Sequence, residues 1–192
     1  MTLETDLDAL TRLLDGVKGW LSLSEAALLC QLAQETPRGT IVEIGSYHGR
    51  STIALAYGAY KSQSTVYAID PHHAHEAGGY LFSPSDLAAF MENLLRSNLA
   101  AYVRVINLPS DPAMHHFESI DLAWIDGAHD YDSVAEDIGW AKMYLTPGGS
   151  MVVHDYGTWD GVTKAVNEVL DSPFWEITQQ VDFTVVLKRA TP

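Results

Sequence analysis

Two aspartates, Asp126 and Asp155, each close a short apolar run within the stretch 120–156, IDLAWIDGAHDYDSVAEDIGWAKMYLTPGGSMVVHDY. The stretch reads as strand, helix, turn, strand. Parallel strands joined by a crossover helix end on the same edge of their sheet, and open α/β folds bind ligands at that edge. Two carboxylates side by side over one pocket suggest a cation, and their oxygens suit Mg²⁺, a hard ion that keeps several waters. Asp130 and Asp132 lie nearby, but at a helix start, and read as its caps.

A second element lies upstream, in IVEIGSYHGRST at 41–52. Glu43 and Gly45 leave a β-branched run, and Gly49 opens a helix. Gly45 permits a tight turn and close approach of a ligand to the backbone. The helix N-terminus, with Arg50, Ser51 and Thr52, offers free N–H groups to an anion. A dinucleotide fingerprint needs G-x-G-x-x-G, and Tyr47 breaks it. What remains is E-x-G-x-x-x-G, either a turn for a different cofactor or a plain strand-to-helix connection. Asp70, at the end of the next β-branched run, stands where a carboxylate accepts both hydroxyls of a ribose. Asp before Pro71 is also a common turn former.

Glu43 to Thr52, Asp70 and the IDG to HDY segment together resemble a class I S-adenosylmethionine-dependent methyltransferase. More narrowly, they resemble the family of macrocin-type sugar O-methyltransferases and cephalosporin-hydroxylase-like proteins, whose pattern is I-D-G-x-H-x-Y followed by P-G-G and H-D. The 45–51 turn is also similar to that of catechol-type O-methyltransferases, small-x-Tyr-x-Gly-x-Ser, matching at Tyr47, Gly49 and Ser51. The resemblance implies that Glu43 and Gly45 lie beside the methionine part of the cofactor and that Ser51 binds its carboxylate. It places Asp70 on the ribose and Ser110 and Asp111 at the adenine edge, although Asp111 departs from the amide often found there.

The resembling enzymes often supply a third acidic or amide metal ligand adjacent to the second carboxylate; here that neighbour is His154. An imidazole would suit Mn²⁺, Fe²⁺ or Zn²⁺ better than Mg²⁺. The alternative for His154 is to hold a loop. His129 follows Asp126 by the offset at which catechol-type enzymes carry a lysine base, and histidine titrates in the range the task needs. Against that stands a positioning role, with His129 bonded to Asp155 or set against the product side of the cofactor.

The elements that must position these residues follow from periodicity. Segments 3–14 and 22–34 carry apolar residues at helical spacing, with Ser22 or Ser24 as cap. Strands are expected at 40–44, 65–70, 102–108, 120–126, 150–154, 174–178 and 183–187, and helices at 49–60, 85–98, 131–144 and 159–170. Pro147-Gly148-Gly149 should end the 131–144 helix. The last two strands are joined too tightly for a crossover and should be antiparallel. This pattern predicts an α/β, doubly wound, mostly parallel, seven-stranded Rossmann-like sheet with one antiparallel strand near the edge. Residues 1–36 form an N-terminal helical cap or dimer surface on a 40–188 core, in a single domain over 1–192.

The loop 72–84, with His72, His73 and His75, is long enough for a functional lid, and a solvated lid is favoured over a metal site. Tyr47, Tyr131, Tyr156 and Trp159 are candidates for the pocket mouth or for the core; Trp124, inside a buried strand, is core.

The chain has 192 residues, 47% hydrophobic and 19% charged, as expected of a folded soluble protein. With 25 acidic against 11 basic residues it offers no basic stripe for nucleic acid or anionic membrane, which leaves a small-molecule substrate. No apolar run approaches a membrane span, the first residues do not read as a signal, and Cys30 is the lone cysteine, so the expected location is the cytoplasm. A homo-oligomer is left open. The function expected is a divalent-metal-assisted O-methyltransferase acting on a small hydroxylated metabolite, a sugar or a phenolic. Alternatives are a catalytically silent cofactor-binding module, a hydroxylase-associated protein, and a nicotinamide oxidoreductase.

Overall fold

The computed structural model describes residues 3–73, 75–77 and 80–190. In chain order the elements are α1 (Leu3–Leu13), α2 (Leu23–Gln34), β1 (Thr40–Ile44), α3 (Arg50–Ser62), β2 (Thr65–Ile69), β3 (His75–Ala77), β4 (Tyr80–Phe82), α4 (Ser85–Arg96), β5 (Val103–Ile106), α5 (Ser110–Met114), β6 (Ile120–Ile125), α6 (Tyr131–Tyr144), β7 (Leu145–Val153), α7 (Asp160–Leu170), β8 (Trp175–Val181) and β9 (Thr184–Arg189). A single 3-10 turn precedes β5.

Seven strands form one sheet in the order β5-β2-β1-β6-β7-β9-β8. β5, β2, β1, β6 and β7 pair in parallel, and β9 runs antiparallel to both β7 and β8. The expected single antiparallel strand is therefore β9, one place in from the edge. The order reverses between β1 and β6, and the loops leaving these two strands flank the crevice where such sheets take ligands.

Side chains alternate across the pleat, so each strand feeds two cores. Ile41, Val66, Leu122, Trp124 and Val152 pack with α1, α2, α3 and α4. Val42, Ile44, Ala123, Ile125, Met151 and Val153 pack with α5, α6 and α7. The same parity sends Glu43 toward α3, and His154, two residues after Val152, toward α2.

The N-terminal helices are fastened over α3. Ser22 caps α2 in a capping box with Glu25. Arg50, in the first turn of α3, donates from Nε to the Leu21 carbonyl (2.8 Å) and from Nη1 to those of Val17 (3.0 Å) and Leu14 (3.1 Å). Its guanidinium satisfies carbonyls left open where α1 ends and the following loop turns. The sequence offered the N–H groups of this helix end to an anion and assigned no role to the Arg50 side chain, which the structure engages with the N-terminal cap.

Three other expectations need correction. β7 begins at Leu145, so Pro147-Gly148-Gly149 lies inside a strand, at a register shift against β6, and the helix stops at Tyr144. The stretch expected as a lid-length loop without strands contains the antiparallel pair β3–β4. His72, expected in a solvated lid, is buried: its Nε2 lies 3.1 Å from the Tyr47 carbonyl and its Nδ1 3.0 Å from that of Asp70. His73 is exposed, while the side chain of His75 and residues 74, 78 and 79 lie outside the described residues. No helix among the described residues is long and apolar enough to cross a membrane.

Candidate functional site

Three chain segments meet at the end of β1. Gly45 turns out of the strand at φ 88°, and its N–H donates to the Ile69 carbonyl of β2 (2.9 Å). A Cβ on Gly45 would lie 2.0 Å from the carbonyl oxygen of Asp126, so this glycine is required by the backbone leaving β6. The sequence assigned its openness to a ligand, but the close partner is the chain itself. Tyr47 and Gly49 also take positive φ, and a Cβ on Gly49 would stand 3.1 Å from the Phe90 ring of α4.

Asp70 holds this turn in place. Its Oδ2 accepts from the N–H groups of Ser46 and Tyr47, both at 2.9 Å, and its Oδ1 accepts from the His72 N–H at 2.8 Å. A carboxylate offers about four acceptor positions, so three N–H donors leave room for one more. The Tyr47 ring stacks on His48 (3.9 Å between centroids) and meets Trp20 and Phe82 at 5.3 and 5.4 Å.

Glu43 is fully buried beneath the turn and accepts from the hydroxyls of Ser51 and Thr52. Burial pushes its carboxyl up to about 8 against those two bonds. The Ser51 hydroxyl is thereby committed to Glu43, and its N–H belongs to the first turn of α3, where N–H groups have no partner within the helix. A folded protein that keeps this proton after the unfolded chain has released it loses stability as pH rises from about 4.5 to about 8. The slope is at most about 1.4 kcal/mol per pH unit. Glu43→Gln, which cannot ionise, should flatten the dependence of the melting temperature on pH across that window; an unchanged slope would show that Glu43 titrates as it does in the unfolded chain.

At the ends of β6 and β7 stands the second cluster. The His154 N–H donates to the Ile125 carbonyl (3.1 Å), which keeps the strands in register up to the site. His154 Nδ1 lies 3.0 Å from Asp126 Oδ1 and 3.4 Å from Asp155 Oδ2. Asp155 takes φ 62°, a left-handed conformation that aspartate tolerates, and the chain reverses there. His129 Nε2 is 3.0 Å from Asp155 Oδ2, and its ring stacks on Trp159 at 4.9 Å. Asp126, His154 and Asp155 each offer one ligand atom, all within 4.8 Å of one another. Two carboxylate oxygens and an imidazole nitrogen, drawn from two adjacent strand ends, fit a divalent cation.

The electrostatics agree with crowded negative charge. Burial pushes the Asp126 carboxyl up, partly offset by His154. At Asp155 burial acts the same way, but the bonds from His129 and His154 outweigh it and hold the carboxyl below its ordinary range. His154 is lowered by burial and raised far more by the surrounding carboxylates, to about 12.

The remaining expected site residues lie further round the edge. Ser110 opens α5 near the buried carboxyl of Asp137 on α6, which burial pushes up to about 6. Asp111 is on the exposed side of α5, 3.9 Å from His115. Asp130 caps α6 by accepting from the Ser133 N–H (3.1 Å), as expected. Tyr131 and Tyr156 turn to α7, donating to Glu168 (2.6 Å) and Asn167 (2.9 Å). Of the four aromatic residues considered for the mouth, Tyr47 and Trp159 are the ones beside the two clusters. Trp124 is fully buried, as expected.

Residues 42–156 match the protein family described as Methyltransferase domain. The chain belongs to that family. Among solved structures, the methyltransferase is similar to cofactor-bound Rv0187 from MTB, at 22% identity and a TM-score of 0.72 over 96% of this chain and 88% of that one. It is similar to the O-methyltransferase from Bacillus cereus in complex with SAH, at 20% identity and 0.71 over 98% and 90%. It is also similar to the O-methyltransferase TomG from Streptomyces achromogenes, in complex with SAM, at 18% and 0.70 over 98% and 89%. Family and fold together make the protein a class I S-adenosylmethionine-dependent methyltransferase, as the sequence motifs implied.

One residue of the methyltransferase site escaped the sequence reading. Glu25, 1% exposed, extends from the first turn of α2 to within 3.4 Å of His154 Nε2. Its oxygens also accept from the Ser22 N–H (2.9 Å), the Thr184 hydroxyl (2.9 Å) and the Phe183 N–H (3.3 Å). Burial raises this carboxyl, but His154 and the other donors outweigh it and bring it down to about 2. The capping box S-x-x-E at 22–25 marks Glu25 as a helix cap and carries no signal of its contact with His154.

Proposed function

We propose that the methyltransferase acts on a hydroxyl of a small metabolite, a sugar or a phenol, with a divalent cation held by Asp126, His154 and Asp155. The observation that carries this is the meeting, at one switch point of the sheet, of the Gly45 turn held by Asp70 with the Asp126–His154–Asp155 cluster. The sulfonium of S-adenosylmethionine supplies an already activated methyl group, so the protein's own task is to orient an acceptor oxygen and remove its proton. A cation in the cluster would lower the acceptor hydroxyl's pKa and fix its position.

The chain's residues divide that work. Asp70 has one acceptor position to offer a ribose hydroxyl. Glu43, Gly45, Tyr47 and Gly49 shape the turn beside the methionine portion, with the Ser51 N–H toward its carboxylate; Ser110 and Asp111 border the adenine end. His129 takes the acceptor's proton, its ring oriented by the Trp159 stack and the bond to Asp155, which stabilises the imidazolium formed.

One observation favours a metal-free second reading. His154 lies among three carboxylates and is raised to about 12, so it can itself serve as the cation between Asp126 and Asp155. Calorimetric titration with S-adenosylhomocysteine, in chelator and then with Mg²⁺ or Mn²⁺, separates the two. Cofactor binding with a heat from metal alone supports the first; cofactor binding with no metal heat supports the second. Absence of cofactor binding in every condition would sink both.

A further inference from the structure

We propose that Glu25 is the residue that makes His154 a metal ligand: a carboxylate facing Nε2 draws the ring hydrogen to that nitrogen, leaves the Nδ1 lone pair facing Asp126 and Asp155, and so biases the site toward Mn²⁺-class cations over Mg²⁺. The inference rests on the metal-assisted reading above.

His154 Nδ1 faces Asp126 Oδ1 and Asp155 Oδ2, at 3.0 and 3.4 Å. Nε2 faces the other way, buried, with Glu25 Oε1 at 3.4 Å as the carboxylate oxygen that faces it, and it makes no well-aligned hydrogen bond. A carboxylate accepts and does not donate. Beside Glu25, a neutral imidazole therefore carries its single hydrogen on Nε2 and keeps its lone pair on the side where the two aspartates converge. A carboxylate behind a metal-bound histidine is the usual means of fixing tautomer and ring orientation, and of raising the basicity of the ligating nitrogen.

Glu25 is more than its capping role requires. The cap uses Oε2, which accepts from the Ser22 N–H; Oε1 is turned to His154 and also accepts from the Thr184 hydroxyl and the Phe183 N–H. A carboxylate buried this deeply costs free energy unless a specific set of donors surrounds it. Strand parity supplies the meeting: Val152 packs among the helices on the α2 side of the sheet, and His154 follows it two residues later. The first turn of α2 thus reaches the chemistry from behind, and the N-terminal helices become part of the site. With an imidazole as third ligand, the donor set is softer than one of oxygen alone, which disfavours Mg²⁺ relative to Mn²⁺, Fe²⁺ or Zn²⁺.

The test is calorimetric titration of full-length wild type, Glu25→Gln and Thr184→Val with Mn²⁺, Mg²⁺ and S-adenosylhomocysteine, with melting temperatures recorded in parallel. Wild type should bind Mn²⁺ more tightly than Mg²⁺. Glu25→Gln should weaken Mn²⁺ by about 10–100-fold, the usual effect of losing such a partner, while S-adenosylhomocysteine affinity holds. Thr184→Val removes one donor to Glu25 Oε1 but keeps the carboxylate that faces His154, so it should lower the melting temperature and leave Mn²⁺ affinity within about threefold of wild type, well short of the loss expected for Glu25→Gln. If Glu25→Gln lowers the melting temperature and binds Mn²⁺ as wild type does, Glu25 merely ties α2 to β9 and the proposal is overturned. Wild type that binds S-adenosylhomocysteine but no metal overturns the metal reading itself, a distinct result. Should Glu25→Gln fail to fold, ¹⁵N NMR of Zn²⁺-loaded wild type decides: a hydrogen on His154 Nε2 supports the assignment, and one on Nδ1 refutes it.

Discussion

Asp155→Asn should fold, bind S-adenosylhomocysteine as the parent does, and lose roughly 10²–10⁴-fold in turnover, the range typical of a lost general base. Asparagine is the informative replacement because residue 155 sits at φ 62°, where alanine would add backbone strain and asparagine would not. The side chain keeps its shape, so what disappears is charge. That charge serves two neighbours at once. It holds His129 at 3.0 Å from Oδ2 and stands 3.4 Å from His154 Nδ1. Its removal leaves Asp126 as the one anionic ligand of the cluster and lets the His129 ring turn away from the acceptor. The cofactor turn has its own supports in Asp70 and Glu43, so binding there should survive. Initial rates in metal-containing buffer, beside the cofactor affinity, check the split. Undiminished turnover would remove Asp155 from the mechanism and with it the metal account; loss of cofactor binding together with turnover would mean that the two clusters are not independent.

Where the sequence reading succeeded, the deciding physics was local or periodic. Apolar runs bounded by turn residues identify strands, their alternation with helices implies parallel pairing, and an acid ending each run lands on the ligand edge. That is how Asp70, Asp126 and Asp155 could be placed before any coordinates. The misreadings share a different cause: in each, a residue's local chemistry was right and its partner unknown. Arg50 stands at a helix start whose N–H groups were the feature read, and its side chain's partners, carbonyls of the α1–α2 connection, are supplied by tertiary packing. Glu25 is a capping-box glutamate, and nothing in S-x-x-E says that α2 will lie behind His154. Pro147-Gly148-Gly149 reads as a stop, yet a strand whose register shifts tolerates it. The β3–β4 pair could have been anticipated, since Gly78-Gly79 ahead of the apolar run Tyr80-Leu81-Phe82 is a hairpin signal. Strand parity was also available: counting by twos from Leu122 to Asp126 and from Val152 to His154 places all of them on one face.

Gly45→Ala should be the most destabilising small substitution in the site, costing about 2–5 kcal/mol and abolishing cofactor and metal binding together. Two penalties add. A residue with a Cβ at φ 88° carries about 1–2 kcal/mol of left-handed strain. The Cβ would also stand 2.0 Å from the Asp126 carbonyl oxygen and 2.8 Å from the Gly127 nitrogen, and backbone cannot give way as the end of a flexible side chain can. Relieving such a contact typically costs a further 1–3 kcal/mol or so. Movement has nowhere harmless to go. Gly45 is bonded to the last carbonyl of β2, and the Asp126 N–H donates to the Ile44 carbonyl (2.9 Å), so any shift carries the cofactor turn or the first carboxylate ligand with it. Gly148→Ala isolates the first penalty, because Gly148 has φ 87° and open space where its Cβ would lie. Chemical denaturation of the two variants should show Gly45→Ala the weaker by at least about 1 kcal/mol. Equal losses would mean that the close approach of β1 and β6 does not set the turn, and that the Gly45 backbone angle alone accounts for the glycine there.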